Sequence, residues 1–252
     1  MNAILVLYSF FGDNLGWAII VLTIILKLVL YPFTKSQLAS SQKIKDIQPQ
    51  LKKLQKKYKR NPKKLQEEQL KLYKRVGYNP LGCFFSVLLP LPILIAIYQA
   101  VSTFTGGEVT GIYQFVKDLL DANGDIKINT IFYFMDLSKA YLPVAQEVGY
   151  LKLETLPYLL LVVLTGVSQY ISVKVTSAQT QVKEEQKLSK GGKAPEEDMA
   201  ASMSKSMSYT FPLLTTFVAL SMPSGVALYW VVQSFITVIT QLVYNKISRK
   251  EK

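Results

Sequence analysis

One lysine carries much of the chemical information in this chain. Lys27 is the single charge in the apolar run Leu15 to Phe33, LGWAIIVLTIILKLVLYPF. A charge at the centre of a membrane helix costs about 2.5 to 3.5 kcal/mol on insertion scales, so such residues usually face a wet cavity or a partner. Counted back from Thr34, Lys27 lies about 10 Å inside the run at 1.5 Å per residue, against a hydrocarbon half-thickness of about 15 Å. Snorkelling of its stem toward the nearer interface is the competing reading. Thr23, four residues earlier, shares its helix face.

Two further apolar runs carry polar stripes at the helical period. Thr165, Ser168, Gln169, Ser172 and Thr176 fall within an arc of about 100°, and Trp230, Gln233, Ser234, Thr237, Thr240 and Gln241 within about 120°. Either stripe alone reads as hydrogen bonding between membrane helices, the commoner use of Ser, Thr and Gln there. Together with an unpaired lysine they fit a shared hydrated groove. No Asp or Glu lies inside a run except Glu154, at the border of the third. A cation without a resident partner attracts acidic groups on a visiting molecule, and more strongly at low dielectric than in water.

Other chemistry is excluded by composition. The 252 residues contain no histidine and one cysteine, Cys83. His-dependent triads, His or Cys metal clusters and an internal disulfide framework are thereby removed. There is no Gly-rich phosphate loop. We expect no cofactor, no metal site and no enzyme. Cys83 after Leu81-Gly82 superficially resembles a lipid-attachment box, but such a cysteine follows a signal, whereas this one opens an apolar run.

Half of the residues are hydrophobic, only 18% are charged, and the net charge is +12. An ordinary soluble domain carries about 25% charged residues, so a multi-pass membrane protein is the leading class. The apolar runs predict transmembrane helices at 15–34, 81–104, 156–175, 209–222 and 225–244. Pro223-Ser224-Gly225 breaks the continuous run Tyr209 to Val243 into the last two. Pro90 and Pro92 are tolerated if neighbouring helices satisfy the freed carbonyls. Residues 1–14, with the short run Ile4 to Phe11, predict an interfacial segment kept in the mature chain.

Basic residues set the orientation. Segment 35–80 holds 14 Lys and Arg against Asp46, Glu67 and Glu68, whereas 105–150 holds Lys117, Lys127 and Lys139 against six acids. The first is therefore cytoplasmic, with the N terminus outside and the C terminus inside. Ile44, Ile47, Leu51, Leu54 and Tyr58 follow a 3, 4, 3, 4 spacing. With a stop at Arg60-Asn61-Pro62 and a second seam at Leu65 and Leu72, they predict a basic helical hairpin ending near Gly77. Its charges suit topology and lipid headgroups, or phosphates of ribosomal RNA. With Tyr58 and Tyr73 as the stacking aromatics, sequence-specific nucleic-acid readout is not expected. An extracytoplasmic loop is predicted at 105–155 with a short helix near Tyr113 to Leu120, a flexible cytoplasmic loop with Gly191-Gly192 and Pro195 at 176–208, and a cytoplasmic tail at 245–252.

The stretches LTIILKLVLYPFTKSQ (22–37), Gln48-Pro49, NPLGCFFSVLLPLPILIAIYQ (79–99) and FPLLTTFVALSMPSGVALYWVVQ (211–233) occur in this order. With them the chain, from Leu15 onward, resembles the YidC family of membrane protein insertases. That resemblance implies a five-span core in the cytoplasmic membrane of a prokaryote. Its groove would open to cytoplasm and lipid, with one positive residue on the first core helix. Arginine is usual there, and Lys27 occupies the position. It also implies substrate contact at Tyr229 and Trp230, a groove lined by Gln169 and Gln233, and Gln99 as a further candidate. The full groove set is then Lys27, Thr23, Thr165, Gln169, Ser172, Tyr229, Trp230, Gln233 and Thr237. Implied partners are nascent membrane proteins and lipids, with the ribosome and the Sec translocon as further possibilities. The alternatives are a small-anion transporter or channel using Lys27, and a non-inserting scaffold subunit of the Sec translocon.

Overall fold

A computed structural model of the protein describes residues 2–58, 60–77, 90–103, 112–120, 128–177 and 199–250. Cys83 with the first part of the predicted second span, the Gly106-Gly107 and Asn123-Gly124 pairs, and Gly191-Gly192 with Pro195 lie outside the described residues. The described chain is mostly helical.

Helix α1 (Asn2–Phe10) leads into a turn in which Gly12 and Asp13 take positive φ angles of 63° and 58°. The chain turns there through 118° into α2 (Leu15–Val29). Asn14 caps α2 by accepting a hydrogen bond from the Trp17 amide at 3.2 Å. Only Leu30 separates α2 from α3 (Tyr31–Lys57), and the Leu30 and Thr34 amides still reach the Leu26 and Leu30 carbonyls.

Helix α4 (Pro62–Arg75) starts with proline at its first position and with the Asn61 side chain accepting from the Lys64 amide at 3.1 Å. It folds back on α3 around Ile47, Leu51 and Leu72, with Leu54, Tyr73 and Val76 packed alongside. The 3-4 spacing is the reason these residues meet, since it keeps them on one stripe of each helix. This small core stands apart from the main one, so Leu72→Ala should loosen the hairpin without unfolding the bundle. The expected cost is about 2 kcal/mol, read as faster amide hydrogen exchange confined to 47–76.

Helices α5 (Pro90–Thr103), α8 (Leu156–Ser177), α9 (Met199–Ser221) and α10 (Ser224–Lys250) complete the bundle. Among the described residues, two stretches are long and apolar enough to cross a bilayer alone: Leu156–Thr176 and Ser224–Ile247. The bent pair α1 and α2 makes a third if counted as one span, and Pro92–Thr103 and Tyr209–Ser221 are shorter apolar helices. Helix limits and predicted span limits differ. Helix α2 ends at Val29, inside the predicted span 15–34, and α3 restarts at Tyr31. Helix α9 begins at Met199, ten residues before the predicted 209, and α10 runs past 244 to Lys250. Hydropathy marks where apolar sequence ends, whereas a helix continues until a breaker appears. MAASMSKSMS and NKISRK contain no Gly or Pro.

Helix α8 packs against both α9 and α10, and α10 also packs against α2 and α5. The core joins Leu15, Ala18 and Ile19 of α2, Ile97 and Val101 of α5, Tyr158, Leu161 and Val162 of α8, and Val226 to Tyr229 of α10. Small residues permit close approach, as membrane interfaces require. A Cβ added at Gly166 of α8 would overlap Thr216 Oγ1 of α9.

One end of this bundle is capped. Between α5 and α8 come α6 (Gln114–Leu119), an antiparallel pair β1 (Ile131–Phe132) and β2 (Met135–Asp136), and α7 (Tyr141–Val148). Neither the strand pair nor α7 was legible as an element in the predicted loop 105–155. The cap is bonded to the helix ends beneath it. The Ser224 amide and hydroxyl both donate to the Lys139 carbonyl, at 2.9 and 2.7 Å, and the Gly225 amide donates to Leu137 O at 2.8 Å. These carbonyls satisfy amides at the start of α10 that a helix leaves without internal partners. The Asn129 amide donates to Tyr8 Oη of α1 and the Asp136 amide to Tyr158 Oη of α8, both at 2.9 Å.

Candidate functional site: a polar cavity around Lys27

A cavity of about 180 Å³ lies among α2, α3, α5, α8 and α10. Its walls come from the second half of α2, the start of α3, Ile93 near the start of α5, Thr176 near the end of α8, and Tyr229 to Gln241 of α10. The cap meets the opposite ends of α2, α8 and α10, so the cavity sits on the hairpin side of the core.

Lys27 extends into this space and its Nζ donates to Thr237 Oγ1 of α10 at 3.0 Å. The Thr237 hydroxyl itself donates to the Gln233 carbonyl at 2.8 Å, which leaves a lone pair for the ammonium. Thr23, Thr34 and Thr240 repeat the pattern, each donating to a carbonyl four residues back at 2.7, 3.0 and 2.7 Å. Their hydroxyl protons are thus engaged within their own helices, and the lining is rich in acceptors around a single cation. No carboxylate among the described residues forms an ion pair with Lys27.

Two buried polar atoms in the lining have no partner among the described residues. Tyr229 is 1% exposed with its Oη unbonded, and Gln241 is 1% exposed with its Oε1 unbonded while its Nε2 donates to Asn245 Oδ1 at 3.3 Å. A buried unsatisfied carbonyl costs about 1 to 3 kcal/mol. Gln241→Leu, similar in size, should therefore leave the thermal midpoint in detergent unchanged or raise it. A fall of several degrees would show that the amide is held by bonds the fold depends on.

Of the residues predicted from sequence, Lys27, Thr23, Tyr229, Gln233 and Thr237 converge on this cavity. Thr165, Gln169 and Ser172 do not line it. They are buried along α8, where the Thr165 hydroxyl donates to Leu161 O at 2.9 Å and reaches the Ala227 carbonyl of α10 at 3.4 Å. Trp230 is half-buried against the main core, and Gln99 is exposed on α5. The lining also takes in Leu26, Leu30, Tyr31, Thr34, Gln37, Leu38 and Ile93, and the stripe members Thr176, Thr240 and Gln241. Thr34 and Gln37 were discoverable: they continue the line of Thr23 and Lys27 at helical spacing once α3 is recognised as prolonging α2.

The sequence profile of the 60Kd inner membrane protein family matches residues 6–251. The chain belongs to this family. Relatives of the 60Kd inner membrane protein family include the membrane protein insertase YidC of Helicobacter pylori, 32% identical over 246 residues, covering 98% of this chain and 35% of that protein. YidC of Wolinella succinogenes is 30% identical over 246 residues, covering 98% and 36%. The family also reaches beyond bacteria. The chloroplastic inner membrane protein ALBINO3 of Arabidopsis thaliana is 30% identical over 240 residues, covering 92% of this chain and 46% of that protein. The chain thus spans between about a third and a half of the length of these relatives, and as a family member it is a membrane protein.

Proposed function

We propose that the protein is a membrane protein insertase of five crossings, at 15–34, 81–104, 156–175, 209–222 and 225–244, in the cytoplasmic membrane of a prokaryote. Its N terminus is outside, and the basic α3–α4 hairpin and the C terminus are cytoplasmic. The observation that carries the reading is the position of Lys27. It is a cation on an apolar helix, bonded to a threonine hydroxyl, in a cavity with threonine and glutamine side chains in its lining, on the hairpin side of a bundle capped at its other end. The names of the relatives support the same activity.

In this mechanism the hydrophilic outer segment of a nascent or finished small membrane protein enters the cavity from the cytoplasm. Acidic groups on it displace Thr237 from the ammonium of Lys27. Thr23, Gln233, Gln37 and Gln241 exchange hydrogen bonds with its backbone, so the segment crosses part of the bilayer without leaving polar groups in hydrocarbon. The hydrophobic segment meanwhile passes along the lipid-facing side of α8 and α10, drawn by burial at about 0.8 kcal/mol per CH₂. The Thr165 hydroxyl, within reach of the Ala227 carbonyl, ties α8 to α10 at the edge of that path, with Gln169 and Ser172 buried along the same face of α8. No nucleotide, metal or other cofactor enters the mechanism. The hairpin receives substrate and meets lipid headgroups, and the ribosome and the Sec translocon are its candidate partners.

The test is reconstitution of the purified protein alone into vesicles, with protease protection of a single-span substrate bearing an acidic outer segment. Protection well above empty vesicles is the expected result. Protection equal to empty vesicles, restored only when Sec components are added, would replace this reading by that of a scaffold subunit.

A further inference from the structure

The tip of the β1–β2 hairpin is built against the rules of a protein surface in water. Tyr133 and Phe134 occupy the two turn positions and are 69% and 87% exposed. Tyr133 is held at φ 52°, in the left-handed region that such turns normally assign to Asn, Asp or Gly. A bulky side chain there carries backbone strain, which persists where the surroundings over-determine it. A second protrusion lies nearby in the chain, where Leu151 and Leu153 are 79% and 83% exposed. That loop is tied down by side chains: the Thr155 hydroxyl donates to Lys152 O at 2.8 Å, with Gly149 O and Tyr150 O also within reach, and Tyr141 Oη donates to Tyr150 O.

The depth of the hairpin follows from what holds it. On one side the Phe132 ring lies directly over Gly16 and meets Trp17 edge-on, with ring centroids 6.4 Å apart at 83°. On the other side the Asp136 amide is bonded to Tyr158 Oη. Trp17 and Tyr158 are each the third residue of their helices, α2 and α8. The hairpin is therefore bracketed by the first turns of two membrane helices, the level at which Trp and Tyr collect at a bilayer surface.

We propose that Tyr133 and Phe134, with Leu151 and Leu153, form an anchor that inserts into the headgroup and upper acyl region of the outer leaflet. The lipid surface is the occupant. The apolar tips adjoin the first turns of α2 and α8, where Trp17 and Leu156 are exposed, and aromatic rings suit a boundary that is apolar at one end and wet at the other. The anchor fixes how deep the bundle rides and resists tilting of the cap. It rests on the membrane embedding of α2 and α8 and not on insertase activity.

The test uses the full chain in a Cys83→Ser background, with Phe134→Cys carrying an environment-sensitive fluorophore in phosphatidylethanolamine and phosphatidylglycerol vesicles. Glu147→Cys, an exposed and charged position on α7, serves as the aqueous control, and Leu153→Cys repeats the measurement at the second protrusion. The 134 and 153 labels should emit to the blue of the 147 label. They should be quenched more by a nitroxide near the lipid headgroup than by one near the chain end, and resist iodide present on both sides. Iodide quenching equal to that at 147, with no response to nitroxide lipid, would put the tip in water and overturn the proposal. Protection from both quenchers would mean that protein covers the tip, and would overturn it equally.

Discussion

Lys27→Ala should cut the rate of insertion of a substrate with an acidic outer segment by about tenfold or more, with Lys27→Arg close to wild type. A carboxylate about 4 Å from an ammonium gains about 4 kcal/mol at an effective dielectric of about 20. Hydration of the cavity and loss of the Thr237 bond take back part of that gain. A residual of about 1.4 kcal/mol still corresponds to a tenfold effect. Arginine loses nothing here, because attraction needs the charge and not a particular donor geometry. A substrate with a neutral outer segment should be insensitive to both substitutions. Lys27→Glu should favour basic over acidic outer segments, since the repulsive element is then reversed. Protease protection across this matrix is the measurement, with equal thermal midpoints showing that the variants are folded. Identical behaviour of wild type, Lys27→Ala and Lys27→Arg toward the acidic substrate would reduce Lys27 to a snorkelling residue.

The second large effect concerns stability. A Cβ at Gly16 would overlap the Phe132 ring at Cδ2 and Cγ. The ring cannot swing aside freely, being flanked by Trp17 and by the Tyr133 ring, whose centroid is 4.7 Å away. Gly16→Ala should therefore cost about 1 to 3 kcal/mol as an overpacking change, and Gly16→Val more. The loss should appear as a lower thermal midpoint and as protease nicking of the cap. Phe132→Ala opens the space and should partly rescue Gly16→Ala, a coupling that a double-mutant cycle reads directly. Strict additivity of the two changes would show that the ring and the glycine do not constrain one another.

Much of this arrangement was legible before any coordinates. A lone charge in an apolar run singles out Lys27, and the 3-4 spacing of Ile47, Leu51 and Leu54 identifies the stripe that packs on Leu72. The stripe Thr165, Gln169 and Ser172 is equally visible. Periodicity assigns residues to a face, however, and does not say whether that face meets a cavity or another helix. Gln37 continues the line of Lys27 and Thr34 but lies past the end of the apolar run, so it is found only by carrying the helical spacing into α3. The reach of α9 back to Met199 and of α10 on to Lys250 was hidden because polar helix formers carry no stop signal. The β1–β2 turn offered no Asn-Gly or Asp-Gly pair, only Tyr133 and Phe134.

The near-unbroken passage from α2 to α3 gives the hairpin mechanical leverage over the site. Helix α3 has 27 residues, about 40 Å at 1.5 Å per residue, while Lys27 lies only about 4.5 Å from the Leu30 joint along the axis. Rotation by about 10° at that joint sweeps the far end of α3 through about 7 Å and moves the base of Lys27 by less than about 1 Å. A broad movement of the hairpin is thereby geared down to a fine adjustment beside the cation. Conversely, a small displacement at Lys27 corresponds to a much larger stroke at the far end of the hairpin.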